Sequence, residues 1–394
     1  MYLRLPIFVG ILVLAVLSPS NARACPFCAA ATVTASEQLS KSDVAVVAVW
    51  VTGSPAKDNV PATTTFEVEK VIKGSDTLHK KMRFTLTYFE KGEVGDRFVF
   101  LGTSNEKLEW TILTKVTEGV LDYILSAPGE EISADVRLRY FLGFLEHENL
   151  TIAADAFAEF ANSDYSDIAK LAKDLSRDKL RKWVADSALP PGRIGLYGML
   201  MGLCGEATDV EFLSHKIQHH RRGEFRIGGD GVIAGYLMLT GTEGLPLVDR
   251  IMLNNRPATF RETLAAMQAL RFMWTYRPHQ IDKTRLRQSM RYALNNPQVA
   301  DLAIADLARW QDWEIRVKLM ELYEGDYHNA PSIKRSIIRF LIAEIKSLPE
   351  NHVGGRPQHV IQAEICLQKL RQLDPKLVTD AIRYANETDI PLSP

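Results

Sequence analysis

The sequence predicts a multidomain α and β protein, in which a small five-stranded antiparallel barrel precedes an all-α domain of helical repeats. Hydrophobic residues alternate with a period of two between 43 and 116, as they do in half-buried strands. After 129 they recur every three or four residues, which is typical of amphipathic helices. The length of 394 residues also exceeds what a single hydrophobic core usually serves.

The first residues have the composition of a secretory signal. Arg4 precedes an apolar stretch, Leu5–Leu17, that is too short for a stable membrane span, and a small-x-small triplet ends at Ala24. Cleavage after Ala24 would make Cys25 the mature N-terminus of an exported protein, periplasmic or secreted. We therefore expect a signal peptide at 1–24, the barrel domain at 25–118, a connector at 119–130 and the helical-repeat domain at 131–394.

The charge balance argues against a nucleic-acid partner. Removal of 1–24 takes away two basic residues and no acidic one, which leaves 45 basic and 48 acidic residues and a net charge of −3. Both signs are spread along the chain, whereas nucleic-acid binding requires a basic field. No stretch after the signal approaches the roughly 20 apolar residues of a membrane span, so we expect no transmembrane segment.

Five short runs rich in β-branched residues, separated by Gly, Pro, Ser and Asn turns, are the predicted strands. In the second run Phe66, Val68 and Ile72 are expected on one face, opposite Glu67 and Glu69. The absence of a long helix between the runs favours a small barrel or sandwich. The predicted strands are Asp43–Val51, Thr63–Val71, Lys81–Phe89, Asp96–Gly102 and Glu109–Val116.

Four features of this region carry a family resemblance: a cysteine at the mature N-terminus, the strand Ser42–Ala48, the strand and turn Phe66–Gly74, and the strand Gly95–Phe100. Together they resemble the five-stranded OB-type barrel of netrin-like domains, which include tissue inhibitors of metalloproteases. Those inhibitors begin Cys-x-Cys and pair their cysteines inside the barrel, and this chain does neither. The resemblance therefore implies an OB-like fold more directly than an inhibitory activity.

The second half has the spacing of stacked helical pairs. Its strongest predicted helices lie 37, 32, 37, 34 and 31 residues apart, close to the period of helical solenoids. Asp135–Arg137 and Ser332–Ile338 resemble degenerate HEAT-type helices. We predict an irregular α-solenoid, with a compact all-α domain as the alternative. The anchor residues of these helices are Arg193, Asp230, Glu262, Val299, Ile333 and Glu364.

The motif Cys25–Cys28, Cys-Pro-Phe-Cys, is the sharpest candidate site. A thiol-redox centre would have a strand before the motif and a helix after it, and here the signal peptide precedes the motif. A c-type haem would need His where Ala29 stands, and a zinc site would need two further ligands nearby. The simplest interpretation is structural, either a Cys25–Cys28 disulfide or a cysteine that fixes the chain end to the barrel, and we expect no cofactor.

Two further roles concern Cys25 itself. In the inhibitors that the barrel resembles, the amine and carbonyl of the first cysteine chelate the catalytic zinc of a protease, so the resemblance implies this role for Cys25. A cysteine directly after the cleavage site is also where bacterial lipoproteins are acylated, although Ala22 and Arg23 fit a lipidation motif poorly. The two other cysteines, Cys204 and Cys366, lie in apolar segments and are expected in the core.

Several other residue groups have a simpler structural explanation than catalysis or ligand binding. His215 and His219 are spaced for a metal on one helix face, but a solvated basic helix end is expected. Asp155 and Glu159 are expected as solvent-facing helix decoration, and Gly228–Gly231 as a turn between helices. Arg309, Trp310 and Trp313 are the candidate partner-binding residues, with core packing and an Arg309–Asp306 pair as the alternative.

These observations predict an exported, non-catalytic protein-binding or scaffold protein whose helical platform docks a protein partner, because no nucleophile, base and metal set converges in the sequence. The first alternative is a metalloprotease inhibitor or metal-binding terminus that acts through Cys25. The second is an extracytoplasmic thiol oxidoreductase that uses Cys25 and Cys28.

Overall fold

The computed structural model describes residues 25–28, 32–58, 60–74, 78–104, 108–117, 119–219, 228–255, 258–325, 330–348 and 355–387, the last four by their backbone. The predicted signal peptide lies outside these residues. The described chain is of mixed α and β structure, with a five-stranded antiparallel sheet followed by sixteen α-helices. The predicted change from strands to helices is therefore confirmed.

The sheet contains all five predicted strands, in the spatial order β3-β2-β1-β4-β5. Each neighbouring pair is antiparallel. The short strand β3 and the longer strand β5 lie at its two edges. The strands are β1 Val44–Ser54, β2 Thr63–Lys73, β3 Arg83–Leu86, β4 Arg97–Ser104 and β5 Leu108–Lys115.

A shift of register in β2 corrects the predicted face of Ile72. Ala48 pairs with Val68, but the next residue back, Val47, pairs with Lys70, so β2 carries an extra residue at this point. Because an extra residue reverses the alternation, Val71 joins Phe66 and Val68 in the sheet's own core. Ile72 packs instead against the core that the helices form.

Aromatic rings fill the interior face of the sheet. Phe66 lies 4.6 Å from Phe100 between ring centroids, and both side chains are fully buried. Phe84 on β3 stacks on Trp110 of β5 with centroids 4.5 Å apart, although these strands lie at opposite edges. The sheet therefore curves until side chains from its two edges meet over an interior of packed aromatic rings.

One helix precedes the sheet and sixteen follow it in the described ranges. Four short 3₁₀ turns and a π-helical turn, Asp249–Leu253, lie between some of the described helices. The helices are α1 Ala35–Lys41, α2 Val120–Ser126, α3 Ala134–Leu142, α4 Leu150–Ala161, α5 Tyr165–Ala169, α6 Arg177–Ala185, α7 Pro191–Cys204, α8 Ala207–Gln218, α9 Gly229–Thr240, α10 Leu245–Val248, α11 Phe260–Tyr276, α12 Lys283–Tyr292, α13 Ala300–Arg309, α14 Arg316–Glu324, α15 Pro331–Lys346, α16 Gln358–Leu373 and α17 Pro375–Glu387.

The second face of the sheet packs into the hydrophobic core of the helices. Val99 of β4 is fully buried in the helical cluster, and Leu113 of β5 packs against the same cluster. The predicted connector forms α2, which buries Val120, Tyr123 and Ile124. The division at 118 and 131 stays a prediction, and the apolar contacts that cross it make the connection a docked one.

A close crossing of α7 and α9 lies at the centre of the helical region. A Cβ on Gly231 would lie 1.9 Å from the carbonyl oxygen of Gly195, and one on Gly235 would lie 2.0 Å from that of Gly198. Gly202 likewise faces the backbone of Gly235. These distances exclude any side chain larger than hydrogen, so the two backbones are in direct contact.

One helical stretch, Gly229–Leu253, is long and apolar enough to cross a membrane by length and composition, with a mean hydropathy of 1.2. It begins with α9 and continues through the π-helical turn. Within the protein, 61% of its most apolar part is buried. Helices α7 and α11 pack against α9. The stretch has the packing of a core helix.

Replacement of Gly235 by Ala is expected to destabilise the protein by about 2 kcal/mol or more, because the added Cβ meets the helix backbone at Gly198. An ordinary Gly→Ala change in a helix would stabilise it. Urea unfolding of the variant measures the difference. Gly355→Ala is the control, since nothing lies within 4 Å of its Cβ position. Equal stability of the two variants would contradict the close crossing.

Candidate binding groove and N-terminal anchor

A groove of about 470 Å³ opens where the sheet meets the helices. One wall is β5, with Leu113 and Thr114, and the other is α4. Most of the lining is apolar, and two of its side chains, Val33 and Leu150, are 59% and 80% exposed. The groove therefore combines a mostly apolar lining with two exposed apolar side chains, and concave apolar surfaces of this kind are candidate binding sites.

The carboxylate of Asp155 lies in the groove and is fully engaged. Its Oδ1 accepts the backbone N–H of Ala35 at 2.7 Å, and its Oδ2 accepts the hydroxyl of Tyr123 at 2.7 Å. Burial, together with the charge of Asp155, holds the pKa of Tyr123 well above its usual value. Both oxygens of Asp155 are therefore hydrogen-bonded within the protein, so the polar part of the groove is structural.

Glu159 corrects the prediction of a solvent-facing carboxylate pair. It is 5% exposed and binds the hydroxyl of Ser36 and, at 2.7 Å, the guanidinium of Arg137. Burial raises the pKa of Glu159, and the hydrogen bond from Ser36 opposes that rise. Asp155 and Glu159 together hold the first turn of α1, because both bind residues that begin this helix. The sequence contained no signal that α1 binds these two carboxylates, because α1 lies more than 100 residues before them in the chain.

Helix α1 is a polar bridge beside the groove and has no fully buried residue of its own. Thr34 accepts the N–H of Glu37 at its N-terminus. At the C-terminus the ammonium of Lys73 on β2 donates to the carbonyl oxygens of Leu39, Ser40 and Ser42. The helix therefore connects α4 to the sheet through hydrogen bonds.

The groove also runs beside a free strand edge. β5 is the last strand in the sheet order, and among the described strands it pairs with β4 alone. Leu113 and Thr114 near the end of β5 line the groove. An edge strand presents unpaired backbone donors and acceptors, to which an extended chain can add.

The Cys25–Cys28 loop is a disulfide-bridged turn that is inserted into the helical region. The two sulfur atoms lie 2.09 Å apart, and Cys25 N–H donates to the carbonyl oxygen of Ala161, the last residue of α4, at 3.0 Å. Phe27 is 5% exposed and lies 4.9 Å from the ring of Phe272 on α11. Of the two structural interpretations, the structure has the Cys25–Cys28 bridge, and the loop places a ring in the helical core.

Glycines make room for this loop. A Cβ on Gly195 of α7 would lie 2.3 Å from the carbonyl oxygen of Phe27 and 3.3 Å from the Cα of Gly228. Gly228 precedes α9 with a φ of 95°, which L side chains rarely adopt. The segment Gly228–Gly231 is thus the expected turn into a helix, and it packs behind the N-terminal loop. Regular spacing of glycines in two apolar segments was the sequence signal for this packing.

The tryptophans of the predicted partner site divide between core and surface. Trp310 is 5% exposed and stacks on Trp274 at 4.4 Å, so its ring is not part of any surface. Arg309 pairs with Asp306 at 2.9 Å, as the packing alternative expects. Trp313 is half-buried against Phe340. A partner-binding role for Arg309 and Trp313 stays a prediction.

His215 and His219 lie on the exposed face of α8 with ring centroids 4.0 Å apart. His219, the C-cap residue, also contacts the carbonyl oxygen of His215 at the helix end. In the ranges that the structure describes, no group of three His, Cys, Asp or Glu side chains is placed to hold a metal ion. The free cysteines Cys204 and Cys366 are half-buried, and burial raises the pKa of both thiols.

Buried acidic residues recur through the helical region, each with arginine beside it. Asp209 is fully buried and binds Arg177 at 2.5 Å and Arg181 at 2.8 Å. The same arrangement holds Asp249, Asp306, Asp312 and Glu344. Each arginine offsets the cost of burying its carboxylate, so removal of one partner would leave an uncompensated charge. Among these groups, burial raises the pKa of Glu344 to about 7.

No family model, curated protein or solved structure matches this chain.

Truncation of Phe27 to Ala is expected to destabilise the protein by about 3 kcal/mol or more, since it removes a fully packed ring from the core. Cys28→Ser should cost much less, because the disulfide closes a very short loop. Thermal unfolding of both variants under oxidising conditions gives the comparison. If Cys28→Ser were the more damaging change, the bridge rather than the ring would hold the loop.

Proposed function

We propose that this chain is an exported, non-catalytic binding protein whose groove between sheet and helices takes an extended segment of a protein partner. The main observation in support is the groove itself, because it combines apolar walls, two exposed apolar side chains and a free strand edge. An extended segment can pair with β5 through its backbone while alternate side chains enter the groove. Both carboxylate oxygens of Asp155, the acidic residue in the groove, are hydrogen-bonded within the protein, which supports binding over catalysis.

The architecture is proposed to be an OB-like, netrin-like barrel joined to an irregular, HEAT-like α-solenoid. The stacking of Phe84 on Trp110 supports a barrel-like curvature of the sheet, in which side chains of the two edge strands meet while β5 keeps a strand edge without a partner among the described strands. For the solenoid, α7 contacts α9, α9 contacts α11, and α13 contacts α15. Contacts between the first helices of successive pairs support a stacked array.

The observations on Cys25 favour this function over its alternatives. An inhibitor that chelates zinc through its terminal amine must present that amine, but Cys25 is 6% exposed and its N–H is bonded to Ala161. A thioether-linked lipid needs the sulfur atom that the disulfide with Cys28 occupies. A thiol oxidoreductase must expose its attacking sulfur, and this loop is inserted into the core.

Peptide selection on the purified protein tests the groove. We expect enrichment of peptides with alternating apolar residues, and Leu150→Glu should weaken a selected peptide by at least about tenfold because it puts a charge in the apolar wall. Val317→Glu is the matched control, since Val317 is 66% exposed on α14, away from the groove lining. Peptides that bind both variants as tightly as the unchanged protein would contradict the proposal.

Export is tested by N-terminal sequencing and intact mass of the protein made with its own leader, before and after thiol alkylation. We expect a chain that starts at Cys25 and resists alkylation until it is reduced. A chain that retains 1–24 would contradict export. An acyl-modified Cys25 would show a lipid anchor in place of the disulfide.

A further inference from the structure

Helix α16 carries apolar side chains on its outer face. Ile361 is 36% exposed, and Ile365, one turn later, is 62% exposed. Because residues four apart share a helix face, the two isoleucines form a stripe that points away from the core. The residues that α16 buries lie on its other side: Val360, Ala363, Leu367 and Leu370.

Helix α14 lies beside this stripe. Arg316 at the start of α14 donates a hydrogen bond to the side chain of Gln362, near the start of α16. Glu324 at the end of α14 pairs with Lys369 at 2.5 Å. Two contacts in the same order along both helices show that α14 and α16 run side by side in the same direction.

The two helices together present one apolar patch. Val317 on α14 is 66% exposed, and Leu373 at the end of α16 is 53% exposed. With the two isoleucines they form what we call the α16 surface: Val317, Ile361, Ile365 and Leu373. Apolar side chains that are exposed singly are ordinary, whereas a patch on two neighbouring helices is typical of an interaction surface.

The charges beside the α16 surface are arranged for a second copy of the same surface. Glu364 and Arg371 are seven residues apart, so they lie two turns apart on one flank of α16. When two copies of a helix pack antiparallel about a two-fold axis, each flank meets the same flank of the other copy. Glu364 then lies opposite Arg371 of the second copy, and this ion pair occurs twice. A parallel pair would place each charge beside its own copy.

We infer that the α16 surface is an interface between two copies of this chain, whose α16 helices pack antiparallel about a two-fold axis at the level of Leu367. The two copies of Ile365 flank that axis. Ile361 and Val317 of one copy lie toward Leu373 of the other. No residue of α14 or α16 lines the groove beside β5, so this interface is separate from the proposed binding site.

The apolar side chains supply the attraction, and the charges fix the orientation. Each exposed apolar side chain leaves water when the copies associate. Ion pairs at a rim add little affinity, but opposed like charges disfavour every other register. Arg371 is exposed and forms no ion pair with any residue in the described ranges, and the pair of Glu364 with Arg356 at 2.6 Å is itself exposed. Since one helix and its neighbour form the whole contact, we expect a reversible dimer.

Sedimentation equilibrium of the exported chain, at concentrations from about 2 to 200 µM, tests the interface. We expect the average mass to rise from that of one chain to that of two. Ile365→Glu should weaken association at least about tenfold, because it places two carboxylates beside the axis. Val136→Glu is the matched control, since Val136 is 44% exposed on α3. Thermal unfolding of both variants verifies that they stay folded.

An exchange of charges tests the antiparallel arrangement. Glu364→Arg and Arg371→Glu should each weaken self-association, because each opposes like charges twice. An equal mixture of these two variants should dimerise again, since every opposed pair is then one Glu and one Arg.

A chain that stays monomeric at the highest concentration would overturn the inference. So would a dimer that Ile365→Glu leaves as tight as before, because another surface would then hold it. A mixture of the two charge variants that associates no better than either alone would overturn the antiparallel arrangement.

Discussion

The close crossing of α7 and α9 is the constraint on which the rest of the structure depends. Gly195, Gly198 and Gly202 on α7 meet Gly231 and Gly235 on α9 without side chains between them. Because the backbones touch, Gly228 in the turn before α9 lies close to Gly195 of α7. The carbonyl oxygen of Phe27 packs against the same glycine. One crossing therefore sets both the helical core and the seat of the N-terminal loop.

The N-terminal segment connects the two halves of the protein. Phe27 lies in the helical core, α1 is held by Asp155 and Glu159 of α4, and Lys73 of β2 binds the other end of α1. The sheet is thus held against α4 by a short polar helix as well as by apolar packing. The groove exists because these contacts keep β5 and α4 a fixed distance apart.

The charged and apolar groups of the protein are distributed differently between its interior and its surface. The buried carboxylates Asp209, Asp306, Asp312 and Glu344 are paired with arginines, and these ion pairs join neighbouring helices. Asp155 is saturated by the N–H of Ala35 and the hydroxyl of Tyr123. What stays open to a partner is apolar surface such as Leu150 and the edge of β5.

The sequence by itself determined the five strands and the change to helices, because periods of two and of three to four are local properties of the chain. It also indicated that Cys25 and Cys28 lie close enough to bridge. The tertiary structure decided which residues are buried together: it placed Glu159 and Trp310 inside, turned Ile72 to the other face through an extra residue in β2, and seated Phe27 against Phe272. Such contacts join residues that are distant along the chain, so no local pattern specifies them.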